Sequence, residues 1–248
     1  MDNLWFGFRC EKFTFEGHDA TIVFPDTPAP NSKIVLKTEY WNAFPDVEVQ
    51  MLKNGYHVAF LKNSSRLAPK EDCDRKAAFI KFLAEKYGLS EKCIPVGMSC
   101  GGAHAVRFAG YYPELIACMY IDAPVLNFCD FPGKYGKAAF ASAWEKEFQA
   151  AYPGTKRYQL LNFPHHPINM AETLVANKIP VVLVYGTEDS TVIFEENGQL
   201  LVEAYEGTDL LMAIPVEARG HHPHGIVYYN TPCDNSKIVQ FLLDHSRD

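Results

Sequence analysis

Long apolar runs are missing from this chain of 248 residues. No stretch approaches the ~18 consecutive apolar residues of a membrane-spanning helix, so no membrane is expected as a partner. Basic charge is scarce as well: 23 Lys and Arg against 30 Asp and Glu leave a formal net charge of −7. Nucleic acids and anionic lipid surfaces reward basic stripes, and no such stripe is visible. The opening Met1-Asp2-Asn3-Leu4 has no basic segment ahead of an apolar one and does not read as an export signal. Seven cysteines form an odd set without a Cys-x-x-Cys pair. They read as the reduced thiols of a cytoplasmic protein rather than a disulfide framework or a zinc site. Cys93 and Cys118 lie in apolar runs and are expected to be buried as small hydrophobes. A Gly-x-Gly-x-x-Gly or phosphate loop is also lacking, and no cofactor is implied.

What is present is a rhythm. The first 24 residues alternate as an antiparallel hairpin, Lys12 to Phe15 and Ala20 to Phe24 about a turn at Glu16-Gly17-His18-Asp19. After the Pro-rich loop 25–32, apolar runs start at Ile34, His57, Ile94, Met119, Val181 and Leu210 and alternate with helical patterns. That alternation predicts βαβ units, a mostly parallel sheet and an α/β fold. Ile80, Leu83, Ala84 and Tyr87 fall at helical spacing, with Gly88 as the stop. A last helix is predicted to open at Thr231-Pro232-Cys233-Asp234, an N-cap followed by a first-turn proline and an acid. Length alone asks for no second domain, so residues 1–248 read as one. Residues 124–170 break the rhythm, being rich in Phe, Tyr, Trp, Pro and Gly, with one helix around 138–150. They read as a cap inserted over the C-terminal edge of the sheet, where open α/β folds bind ligands.

The sharpest motif is Gly97-Met98-Ser99-Cys100-Gly101-Gly102, between an apolar run and a helical stretch. Gly-x-Ser-x-Gly between a strand and a helix places a serine on a strained turn, and its neighbours must lack side chains for strand and helix to close up. A serine hydroxyl is a weak nucleophile and needs a base, itself oriented by an acid. The run at Val181–Tyr185 leads into Gly186-Thr187-Glu188-Asp189-Ser190-Thr191-Val192, and the run at Leu210–Val216 leads to Arg219-Gly220-His221-His222-Pro223-His224. Asp122, at the end of an earlier run, is another acid in a usable place, with a cap for the following turn as its plainer role. Five histidines, at 165, 166, 221, 222 and 224, raise the question of zinc. Ligands on adjacent residues rarely converge on one ion, so no metal is expected. His104 reads as packed.

GMSCGG at 97–102, Asp122-Ala123-Pro124-Val125, YGTEDSTV at 185–192 and GHHPHG at 220–225 together resemble the α/β-hydrolase superfamily over essentially the whole chain. The chain is most similar to a bacterial branch of serine hydrolases with a GMS-x-GG elbow and a GHHPH motif. It departs from that branch at Cys100, where a basic residue is usual. The resemblance implies an α/β-hydrolase fold with Ser99 as nucleophile, Asp189 as acid and His221 as base. The base commonly follows a glycine directly, which favours Gly220-His221, with His222 and His224 left as alternatives. It further implies an oxyanion hole from the N–H groups of Cys100 and, where the family carries His-Gly-x, of Tyr40 after Thr38-Glu39. Trp41, Phe131 and Trp144 are expected as walls of the substrate pocket. The aromatic residues of the cap (Phe128, Tyr135, Phe140, Phe148, Tyr152 and Phe163 besides) suggest a small-molecule ester with an aromatic or sugar ring. The expected activity is that of a carboxylic ester hydrolase, a serine esterase. A peptidase or amidase with the same triad, and a ligand-binding protein that has lost catalysis, are the rival readings. Oligomeric state is left open.

Overall fold

Strands buried on both faces read as continuous apolar runs, and the six runs of the sequence become the parallel part of one sheet. The computed structural model describes residues 3–130, 135–137 and 144–246, the side chains of 144 and 145 excepted. Among these residues nine strands form the sheet: β1 Leu4–Trp5, β2 Phe8–Phe15, β3 His18–Val23, β4 Ile34–Lys37, β5 His57–Leu61, β6 Cys93–Met98, β7 Met119–Asp122, β8 Val181–Gly186 and β9 Leu211–Val216. They lie in the order β1-β2-β3-β5-β4-β6-β7-β8-β9. Pairings from β4–β5 to β8–β9 are parallel, and β1, β2 and β3 join antiparallel through β3–β5. The N-terminal hairpin turns more tightly than its sequence suggests. Phe15 pairs with His18, and only Glu16 and Gly17, at φ 45° and 79°, make the bend. Two residues at positive φ match the twist of the flanking strands, so His18 and Asp19 are free to extend β3.

Helices α1 Asp46–Lys53, α2 Lys70–Tyr87, α3 Cys100–Tyr111, α5 Ala171–Ala176, α6 Gly198–Ala204 and α7 Ser236–Ser246 cover the two faces, and α4 Gln149–Ala151 lies in the insertion between β7 and β8. Ile34, Leu36, Ile121 and Leu183 point into one core with Ile80 and Leu83 of α2 and Val106 and Phe108 of α3. Val35, Tyr120, Val182 and Val184 point into the other, with Met51 and Leu52 of α1 and Ile238 and Leu242 of α7. The period-2 alternation of the strands thus serves two apolar layers at once. Gly88 ends α2 in the left-handed conformation at φ 67°, as its glycine predicts.

The last helix starts later than expected. Residues 231–235 are non-helical and α7 begins at Ser236, whose N–H is accepted by Asp234 Oδ1 at 3.0 Å. Asn235 is drawn off instead, its Oδ1 accepting the Ile226 N–H at 2.8 Å, and this holds the preceding segment against the body. Between β7 and β8, the described part of the insertion is a π-helical turn Trp144–Phe148 running into α4, followed by short 3-10 turns at Arg157–Asn162 and Pro167–Met170. The rest of the helix expected over 138–150 lies outside the described residues.

Candidate active site

The turn after β6 is built by its neighbours' lack of side chains. Ser99 sits at φ 54° and ψ −121°, a conformation hostile to an L-residue, between the strand and α3. A Cβ on Gly97 would stand 2.2 Å from Gly101 O, and one on Gly102 would stand 2.3 Å from Pro124 Cβ. The Asp122-Ala123-Pro124-Val125 run is therefore the surface on which the elbow closes. Two backbone bonds lock it: Ser99 N–H to Asp122 O at 2.9 Å and Val125 N–H to Ser99 O at 3.0 Å. At the first helical position, Cys100 N–H has no carbonyl four residues back to bond within the helix.

The acid loop follows β8 and the histidine loop follows β9. They approach where Gly186 leaves room, since a Cβ there would lie 2.1 Å from Arg219 O. Asp189 Oδ1 accepts the N–H groups of Thr191 and Val192 at 2.8 and 2.9 Å, and Oδ2 lies 2.8 Å from His221 Nδ1. His221 Nε2 is 3.0 Å from Ser99 Oγ. Burial alone would raise the Asp189 carboxyl. The His221 hydrogen bond and charge and the two backbone donors outweigh it and hold the group below its usual range. With that carboxylate ionised, Nδ1 carries the hydrogen and Nε2 is left to accept from the serine. Glu188 is exposed and outside the chain of bonds.

The other two loop histidines go elsewhere. His222 stacks on Phe44 with ring centroids 5.8 Å apart and planes at 15°. Burial, with the charges of His221 and His224, lowers its pKa. His224 is buried, and its Nδ1 lies 2.9 Å from Asp122 Oδ1. Asp122 does not cap the turn into the insertion. It is fully buried and also receives Arg219 at 2.7 and 3.1 Å, the Gly225 N–H at 2.7 Å and the Tyr120 hydroxyl at 3.0 Å. Burial pushes its carboxyl up, and the His224 and Arg219 bonds and charges bring it below the ordinary value.

Around Ser99 lies a cavity of ≈460 Å³, walled by Tyr40, Phe44, Met98, Cys100, Val125 and Val192 among others. Trp41 is not part of it. The chain turns at Tyr40, φ 54°, and Trp41 stacks between Trp5 and Phe60 at 4.6 and 5.4 Å, where three rings exclude water together. Tyr40 lines the cavity, but its N–H points to Glu39 Oε1 at 3.2 Å. The neighbouring carboxylate takes up the backbone donor expected to face the reacting oxygen. The Tyr40 hydroxyl bonds with Cys100 and Arg66, and burial pushes its pKa up. Phe131 lies outside the described residues, as does the side chain of Trp144. The described aromatics of the insertion do not wall the cavity. Phe128, Phe148 and Phe163 make a core of their own with Leu160, packed on Cys100, Val125 and Val192. Tyr152 leans on that core, and Tyr135 is exposed.

Sequence reading missed Phe44, Arg66 and the Asp122–His224–Arg219 cluster. Arg66 lines the cavity and pairs with Glu147 of the insertion through two parallel bonds. Its place in the loop after β5, at the C-terminal edge of a parallel strand, was a signal that points to it. His104 is packed as expected, its Nε2 2.8 Å from Ser65 O. His166 is held at both nitrogens, by Phe128 N–H and Leu160 O. Among the described residues, no group of three or more His, Cys, Asp or Glu is placed to hold a metal ion. No helix there is long and apolar enough to cross a membrane.

This sheet order, elbow and loop placement define the α/β-hydrolase fold, and solved structures agree. An esterase of Pyrococcus furiosus superposes with a TM-score of 0.66 at 18% identity, over 100% of this chain and 98% of its own. An S-formylglutathione hydrolase of Agrobacterium tumefaciens gives 0.61 at 16%, over 99% and 95%. The dipeptidyl peptidase 4 of Porphyromonas gingivalis gives 0.68 at 15%, over 96% of this chain and 36% of its own. The chain thus spans about a third of the length of the peptidases it matches. No family model matches the chain, and no curated protein does.

Proposed function

We propose that the chain is a serine hydrolase that cleaves carboxylic esters through an acyl-enzyme on Ser99. The observation that carries the reading is the Asp189–His221–Ser99 chain of hydrogen bonds, at 2.8 and 3.0 Å, at the mouth of three strands, with Ser99 and His221 lining one cavity. In this reading Ser99 Oγ attacks the ester carbonyl while its proton passes to His221 Nε2. Cys100 N–H steadies the oxyanion, and Tyr40 is the second donor, through its hydroxyl while Glu39 holds its N–H. His221 returns the proton to the departing alcohol. It then takes one from water as the water oxygen attacks the acyl carbon, and gives it to Ser99 Oγ as the bond from that oxygen to the acyl carbon breaks, which frees the acid and restores the enzyme.

Two features favour an ester over a peptide. The cavity walls are mainly apolar, and among the described residues lining them no carboxylate stands ready to hold a peptide's amino terminus. Small esters with an apolar acyl group suit such walls, and a ring on the substrate has Phe44 to meet. We read residues 124–170 as the cap of this site, tied down by the Arg66–Glu147 pair. Seven free cysteines, five of them buried, suit a reducing cytoplasm. The test sets p-nitrophenyl acetate beside an aminoacyl anilide, with a fluorophosphonate probe on wild type and Ser99→Ala. Ester turnover, with labelling confined to Ser99, is expected. Faster anilide cleavage would make the protein a peptidase, and an unlabelled wild type would make it a binding protein.

A further inference from the structure

Two Asp–His pairs present their histidines to the cavity, and the reading above uses only one. His224 lines the same cavity as Ser99, is 4% exposed, and has its ring 5.2 Å from that of His221. Its Nδ1 is committed to Asp122 Oδ1 at 2.9 Å. That carboxylate is saturated with donors: both terminal nitrogens of Arg219, the Gly225 N–H and the Tyr120 hydroxyl. An ionised carboxylate surrounded by donors only accepts, so the hydrogen of this bond belongs to Nδ1. In its neutral form such a ring carries a lone pair at Nε2, on the edge turned away from Asp122. Among the described residues no hydrogen bond reaches it. Arg219 balances the Asp122 charge at 2.7 Å, so the pair does not depend on a cation at His224. The atom is not shut away from solvent, and an acceptor at the wall of a cavity can take a donor from a bound molecule.

The donor's place follows from the chemistry. A leaving alcohol must take its proton from His221 Nε2, so it lies against that ring and not deeper along the acyl chain. Two rings flank that of His221, His222 at 4.7 Å and His224 at 5.2 Å, and of the two His224 is the one bonded to a carboxylate, with Phe44 edge-on to it at 5.2 Å. We propose that Asp122 and His224 form a recognition pair that accepts a hydrogen bond from a second hydroxyl on the leaving alcohol, making monoesters of diols the preferred substrate class. This rests on the ester reading of Ser99. His224 is a specificity residue here, and Asp122 positions it by fixing its tautomer.

The test compares 2-hydroxyethyl butyrate with propyl butyrate, which differ by one hydroxyl at nearly constant volume. Wild type is expected to favour the hydroxylated ester about tenfold or more in kcat/KM, the discrimination of a site built to bond a hydroxyl. His224→Phe is expected to bring the ratio close to one. His224→Gln, whose amide donates to Asp122 or accepts from substrate, is expected to retain part of it. A ratio near one in wild type, or one unchanged in His224→Phe, overturns the proposal while leaving the esterase reading intact. A second measurement does not depend on turnover or on variants. Imidazole ¹⁵N spectra of the wild-type protein should show His224 protonated at Nδ1, with the Nε2 resonance moving on addition of ethylene glycol and not of 1-propanol. If neither ester is cleaved, the esterase reading fails and this shift still supports the pair. A hydrogen on Nε2, or a resonance indifferent to the diol, overturns it.

Discussion

His221 Nε2 stands 3.0 Å from Ser99 Oγ across 122 residues of sequence, and one buried carboxylate outside that contact decides how the loop delivers it. Asp122 lies at the end of β7, beside the elbow. It binds Arg219, His224 and the Gly225 N–H, which bracket His221 on both sides. His221 is held by its loop as much as by Asp189.

Asp189→Asn is expected to lower kcat on p-nitrophenyl acetate by about a thousandfold or more with little change in KM. The amide no longer favours the tautomer that leaves Nε2 free. A variant with normal kcat and a raised KM would show that the aspartate shapes the pocket and does not orient the base.

Phe44→Ala is expected to raise KM for esters of bulky alcohols by roughly tenfold while kcat changes little. The ring lines the cavity, stacks on His222 and meets His224, and under the proposed ester hydrolysis it would wall the alcohol without taking part in the chemistry. Steady-state kinetics on ethyl and benzyl butyrate give the comparison. Equal loss on both would mean that the ring merely supports the histidine loop.

Lys37 and Glu48 form a buried pair at 2.5 Å, each side chain 1% exposed, and Lys37 Nζ also donates to Ala43 O at 3.0 Å. Removing one partner leaves the other charge buried and unpaired. Lys37→Met and Glu48→Leu are each expected to cost about 3–5 kcal/mol in urea unfolding, with the double variant recovering most of it. Additive losses in the double variant would show that the two charges do not stabilise each other.

His57, 4% exposed beside Ser32, has its pKa lowered to about 4, by burial first and by the charge of Arg9 second. In the unfolded chain the ring titrates near ~6.5. Between these values the unfolded state binds the extra proton, so stability is complete above pH ~6.5 and falls as pH drops toward about 4. The loss over that window is on the order of 3 kcal/mol. His57→Gln is expected to reduce the slope of unfolding free energy between pH 6.5 and 4, with His104 and His166, also lowered by burial, contributing the remainder. A curve as steep as that of the wild type would move the effect to another group.

The strands were legible in the sequence because residues buried on both faces must be apolar without interruption. The elbow was legible because Gly97 and Gly102 occupy positions where a Cβ would lie within 2.3 Å of the backbone or of Pro124. The start of α7 was not, since Thr231-Pro232-Cys233-Asp234 carries a helix-opening pattern that the tertiary bond from Asn235 to Ile226 overrides. Aromatic content in the insertion looked like a binding wall. Phe128, Phe148 and Phe163 turn instead to each other, because a segment that leaves the sheet must bury a core of its own.

By itself the sequence determined the layered sheet, the serine on its strained turn and the two loops that hold an acid and a histidine. Those features depend on local sterics and on burial period, which neighbouring residues encode. The tertiary structure decided which of His221, His222 and His224 reaches Ser99, that Trp41 joins Trp5 and Phe60, and that Asp122 anchors the histidine loop. The first of these is a choice among residues of equal chemistry within a few positions of each other. Only the direction in which a loop leaves its strand, and the partner a distant strand brings to meet it, separates them.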